Sequence, residues 1–148
     1  MKALFATLLL FPMLALATPD WRVFLDQEKI PELPKPLTAK WEVKGEEVHV
    51  TVENTTGVTL AYAGRGSDCP QLFEETKKNG KWSPSFWDWC GTGMEMYRFP
   101  SGSKVIFKLP APTQNPPTRL FTIFSTADYK QRSIVMIFSG EDTARKSN

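Results

Sequence analysis

The reactive side chains of this 148-residue chain are few: one histidine, two cysteines and scattered acids. His49 lies in V-H-V-T-V, where strand alternation points it away from the face shared by Val48 and Val50. A general base needs a nucleophile or an orienting partner beside it, and the neighbouring residues supply neither. Two cysteines and one histidine, without C-x-x-C or H-x-x-x-H spacing, fall short of a zinc site. Glu46-Glu47 and Glu74-Glu75 are adjacent pairs. Neighbours on a strand point to opposite faces, so neither pair works as joint acid and base, and both read as solvated sheet surface. Gly64 to Asp68 is glycine-rich but lacks the helix that a phosphate cradle needs. Asp68 has no D-x-D-x-D-G ladder around it to hold calcium. These patterns describe a protein that is not an enzyme and that uses no metal and no cofactor.

The cysteines point to a compartment. Met1-Lys2, the apolar run Ala3 to Leu16 and the small-residue site Ala15-Leu16-Ala17 make residues 1–17 a secretory signal peptide. Export, to the periplasm or the outside, makes a Cys69–Cys90 disulfide the natural expectation. Closing that loop of about 20 residues contributes on the order of 3 kcal/mol. No later stretch is long and apolar enough for a membrane span. Removing Lys2 from the 18 basic side chains leaves 17, which nearly balance the 16 acidic ones. That balance gives no electrostatic case for nucleic acid.

Cys69 and Cys90 bracket the most structured stretch, CPQLFEETKKNGKWSPSFWDWC. Asn79-Gly80 predicts a two-residue hairpin turn, because both residues tolerate positive φ. Counting outward, Lys78 faces Lys81, Lys77 faces Trp82, Phe73 faces Phe86, and Cys69 faces Cys90 at the base. A bulge at Ser83-Pro84-Ser85 would shift that register by one. In the unbulged register Trp82 and Phe86 share one face, while Trp87 and Trp89 share the other with Leu72. Only one face can meet a core. The other is covered by the N-terminal arm through Trp21, Phe24 and Leu25, or is left as an exposed aromatic binding surface. Trp82, Phe86, Trp87 and Trp89 are the candidate binding residues. Lys77, Lys78 and Lys81 at the tip read as solubility and edge protection.

Period-two alternation runs through the elements that must position this hairpin. Residues 18–36, with prolines at 19, 31, 34 and 36, predict an extended arm, with at most one helical turn at Asp26 to Ile30. Strands follow at Leu37–Val43, Val48–Val52, Val58–Tyr62, Met94–Phe99, Val105–Leu109, Leu120–Phe124 and Ile134–Phe138, separated by turn clusters. Leu120–Phe124 is apolar on both sides, as in a strand covered on both faces. Asn54-Thr55-Thr56-Gly57 is a turn that also has the form of a glycosylation sequon. The pattern predicts an all-β antiparallel β-sandwich of about eight strands over residues 37–140, with a polar tail at 141–148.

V-T-V-E-N-T-T, N-G-K-W followed by W-x-W, and P-S-G-S before an alternating strand resemble the bacterial intracellular proteinase inhibitor family over Val48 to Leu109. The resemblance implies an immunoglobulin-like domain; no inhibitory residue carries over from it. The expected role is a non-catalytic exported binding or accessory domain whose partner is an extracytoplasmic protein or glycan. The alternative is a proteinase inhibitor presenting Pro110 to Pro117 or Gly64 to Asp68.

Overall fold

The computed structural model describes residues 20–88, 92–112 and 115–141. Residues 1–17, the expected signal peptide, Trp89, Cys90 and all but the first residue of the polar tail lie outside them. Among the described residues helix α1 (Trp21–Glu28) comes first. Ten strands follow: β1 (Ala39–Lys44), β2 (Glu47–Glu53), β3 (Leu60–Gly66), β4 (Cys69–Pro70), β5 (Phe73–Lys78), β6 (Lys81–Trp87), β7 (Glu95–Phe99), β8 (Lys104–Pro110), β9 (Thr118–Thr126) and β10 (Arg132–Ser139).

They form a three-stranded sheet, β1-β2-β8, and a seven-stranded sheet built around β9. All named pairings are antiparallel. In the larger sheet β10 lies along one side of β9, while β3 and β5 share the other side. The alternation read from the sequence now has a partner on each side. Val48, Val50 and Val52 of β2, with Phe107 and Leu109 of β8, pack against Leu60, Tyr62, Phe99, Leu120, Phe124, Val135, Ile137 and Phe138 of the larger sheet. Burying each of these side chains contributes about 1.5–3 kcal/mol. Tyr62 sits at the centre, with ring centroids 5.2 Å from Phe107 and 5.5 Å from Phe124.

The arm is not extended throughout. Asp20 caps α1, its carboxylate accepting from the Arg22 amide at 2.9 Å and the Val23 amide at 3.4 Å. Lys29 ends the helix in the left-handed region, at φ 51°. Trp21, Val23 and Leu25 alternate, but Trp21 and Leu25 are also one helical turn apart. The structure takes the second option: those two are buried and Val23 is exposed. Eight residues are too few for a stable isolated helix, so docking must hold it. Beyond it, Pro31 to Leu33 runs along the open edge of β10, with Arg132 N–H on the Pro31 carbonyl at 2.9 Å and Leu33 N–H on the Arg132 carbonyl at 2.7 Å.

The hairpin turn forms as predicted, with Asn79 at φ 51° and Gly80 at φ 79°. Lys78 faces Lys81 and Lys77 faces Trp82, and the register holds as far as Glu75 and Pro84. There a bulge intervenes: Glu74 faces Phe86, and Phe73 faces Trp87 rather than Phe86. Ser85 is the extra residue, and its hydroxyl donates to Glu74 Oε1 at 2.7 Å. The predicted pairing of Cys69 with Cys90 at the hairpin base involves a residue, Cys90, outside the described ones, and β5 begins only at Phe73. Cys69 itself belongs to β4, faces Gly66 of β3 and is exposed, and no disulfide is found among the described residues.

Candidate functional site

The outer face of the large sheet, turned away from the three-stranded sheet, carries a second apolar cluster. Trp21 and Leu25 of α1 pack there on Phe73 and Phe121, flanked by Trp87, Ile123 and Ile134. Trp21 lies 5.3 Å from Phe73 and 5.5 Å from Phe121 between centroids, and its indole N–H donates to the Glu74 carbonyl at 3.0 Å. β9 thus has Leu120 and Phe124 in the inner core and Phe121 and Ile123 under the helix. It is covered on both faces, as its two apolar sides predicted.

The helix does not close over the whole face. Towards its C-terminal end a cleft of about 190 Å³ opens between α1 and the sheet, lined by apolar side chains that include Phe24, Leu25, Ile30, Phe73, Trp87 and Ile123. Phe24 is 44 % exposed and Tyr129, in the turn between β9 and β10, is 54 % exposed; both line the cleft. The charges beside it are internally matched. Arg132, itself buried, donates to Glu28 Oε2 at 2.8 Å and to the Leu25 carbonyl at 2.7 Å. Trp87 Nε1 is buried and has no hydrogen-bond partner among the described residues.

The four candidate aromatics do not form one surface. The bulge reverses the expected face assignment. Trp82 and Trp87 fall on the α1 side, while Phe86, 51 % exposed, lies on the opposite side. Trp87 lies 4.8 Å from Phe24 and 6.1 Å from Phe73. Trp82 has the Arg119 guanidinium 4.4 Å over its ring. Trp89 lies outside the described residues. Leu72, expected beside Trp87, packs in the inner core instead.

Two polar residues carry more than the sequence suggested. Glu75, expected on a solvated surface, is 2 % exposed and forms ion pairs with both Arg22 and Arg119. Asn54, expected on an exposed turn, is fully buried. Its amide donates to the Val58 carbonyl at 2.9 Å and the Phe99 carbonyl at 2.8 Å, and its oxygen accepts from the Thr56 amide and hydroxyl at 3.1 and 2.7 Å. That amide has no free nitrogen to glycosylate in the folded protein. The role of Glu75 had no local signal, because its partners lie 53 and 44 residues away; Asn54 bonds locally to Thr56 and Val58, and its reach to Phe99, 45 residues on, goes with its burial.

His49 points outward as expected, but against expectation it has a carboxylate partner two residues away: Glu47 Oε2 lies 3.1 Å from its Nε2. Burial, then the negative charge that Tyr97 and Asp68 can carry, pushes the Tyr62 hydroxyl up to about 12. That hydroxyl donates to the Ser67 carbonyl at 2.5 Å. The segment Gly64 to Asp68 is mostly strand: β3 runs to Gly66, leaving Ser67 and Asp68 as the turn. Among the described residues no helix is long and apolar enough to cross a membrane. No protein-family model, curated protein or solved structure matches the chain.

Proposed function

We propose that this chain is a non-catalytic exported binding domain that recognises a protein partner through the cleft beside α1. The cleft carries the proposal: an apolar hollow with a partly exposed aromatic rim on a sheet face that the chain's own helix leaves incompletely covered. Rims of this composition are enriched where proteins anchor one another. Of the two partner classes, the surroundings of the tryptophans favour protein over glycan. Trp87 is engaged by Phe24 and Phe73, and Trp82 by Arg119, so neither offers a free indole platform for a sugar ring.

The test is site-specific photo-crosslinking in the exporting cell. A photoreactive phenylalanine analogue at position 24 is expected to capture a discrete protein, whereas the same analogue at Ile106, on the outer face of the small sheet, is not. Equal capture at both positions, or none at position 24, counts against the cleft as the recognition surface.

An immunoglobulin-like arrangement is part of the proposal. The order β1-β2-β8 facing β10-β9-β3-β7 supports it, with β4 to β6 inserted between β3 and β7. So is a Cys69–Cys90 bridge formed on export. The Asp88 amide donates to the Leu72 carbonyl at 3.2 Å, which holds the two chain segments together close to both cysteines in sequence. Thiol titration of the unfolded, unreduced mature protein is expected to find no free sulfhydryl; two would remove the bridge.

A further inference from the structure

Arg22 of α1 and Arg119 of β9 converge on one carboxylate. Arg22 Nε donates to Glu75 Oε1, and Arg119 Nε donates to Oε2 at 2.5 Å. The carboxylate is almost fully buried, but the arginine side chains are 40 % and 26 % exposed. Each guanidinium has five N–H donors, and most of them are not spent on Glu75. Aromatic rings fix both planes. Arg22 lies 4.5 Å over Trp21 and 5.1 Å over Phe121, while Arg119 lies 4.4 Å over Trp82 and 5.3 Å over Phe121. Lys77, 5.7 Å over Trp82, pairs with Glu141 and adds no surplus charge.

Docking α1 on Glu75 needs only one arginine. The second leaves the group with two positive charges on one negative charge, in a half-buried setting where unmatched charge is unfavourable. Arginine forks held in place by stacking are suited to bidentate recognition of an oxyanion. We propose that Arg22 and Arg119 form an oxyanion-binding site, for a carboxylate or sulfate group, in which Glu75 is the internal counter-ion that holds the two forks together. The site is distinct from the cleft: Arg22 lies in the first turn of α1, whereas the cleft opens towards its other end.

The experiment follows the arginine Nε–H resonances of the mature protein by NMR. Sodium sulfate or sodium acetate is added in the millimolar range, with sodium chloride adjusted to constant ionic strength. Saturable shifts of the Arg22 and Arg119 signals are expected, and whichever anion saturates first identifies the group. Replacing Glu75→Gln removes the competing charge and is expected to tighten binding about tenfold, the size of one charge interaction at a partly solvated site. A purely structural triad predicts no such gain. Arg119→Gln is expected to abolish saturation. Should Glu75→Gln fail to fold, the wild type against Arg22→Gln decides, since Arg22 is exposed enough to replace. Shifts that stay linear in anion concentration in the wild type, or that are equal in the wild type and the arginine variant, overturn the site.

Discussion

Asn54 ties two turns together. Its side chain reaches the carbonyls of Val58 and Phe99, while its backbone N–H donates to the Ser103 carbonyl at 3.0 Å and its carbonyl accepts from Gly102 N–H at 2.7 Å. Asn54→Ala keeps the backbone bonds but strands the Val58 and Phe99 carbonyls that the side chain serves, each group worth about 1–3 kcal/mol when left unsatisfied. The expected loss is about 3 kcal/mol, read as a lower urea midpoint with an unchanged slope; a loss under about 0.5 kcal/mol would deny Asn54 this role. The exposed pair Lys44–Glu42 is the contrast, and Glu42→Ala should change stability by about 0.5 kcal/mol or less. Tyr62 sets a pH dependence. Its folded pKa is raised to about 12 from an ordinary 10.0. Between those values the unfolded chain releases the phenolic proton while the folded protein keeps it, so stability is intact below pH 10 and falls as pH rises towards 12. In Tyr62→Phe that part of the alkaline loss should vanish; matching urea midpoint curves for both proteins from pH 9 upward would show Tyr62 is not its source.

Two elements depend on contacts far away in sequence. The helix α1 exists because Asp20 caps it and the sheet receives Trp21 and Leu25. Trp21→Ala removes a fully buried indole from between Phe73 and Phe121 and should cost about 3–5 kcal/mol. Asp20→Ala should cost about 1 kcal/mol through the cap alone. Equal effects of the two changes in chemical denaturation would mean that the cap, not the packing, holds the helix. The β5–β6 hairpin shows how one residue redirects a surface. Its turn chemistry was legible in Asn79-Gly80, and its register was legible as far as Pro84. Beyond that, Ser85 enters as a bulge and places Trp82 and Trp87 on one face. Alternation marks which residues share a face only while the ladder is unbroken, and whether a Ser-Pro-Ser stretch bulges is decided by the neighbouring strand.

At the scale of the molecule, β9 joins two clusters that share no other strand as centrally. Its inner residues Leu120 and Phe124 pack towards the small sheet and its outer residues Phe121 and Ile123 under α1. Losing either cluster uncovers this strand, so the domain should unfold in one step. Tryptophan fluorescence of a Trp41→Phe variant, which removes the tryptophan on the inner core and keeps Trp21 and Trp87 in the outer cluster, and the urea dependence of the Val48 and Leu60 amide NMR signals, which report the inner core, should give coincident transitions. Separated midpoints would show that the helix and its cluster are an independent unit.

The sequence by itself determined what is local. Period-two alternation marks the strands, Asn-Gly marks the hairpin turn, and the two apolar sides of Leu120 to Phe124 mark the strand covered on both faces. These signals come from neighbours whose backbone geometry they restrict directly. Tertiary structure alone decided the rest. Trp21 and Leu25 fit a strand or a helix until a face was available to bury them together. Glu75 reads as surface until Arg22 and Arg119 arrive from 53 and 44 residues away. The cleft and the arginine pair both arise where α1 meets the large sheet, and no stretch of sequence contains that contact.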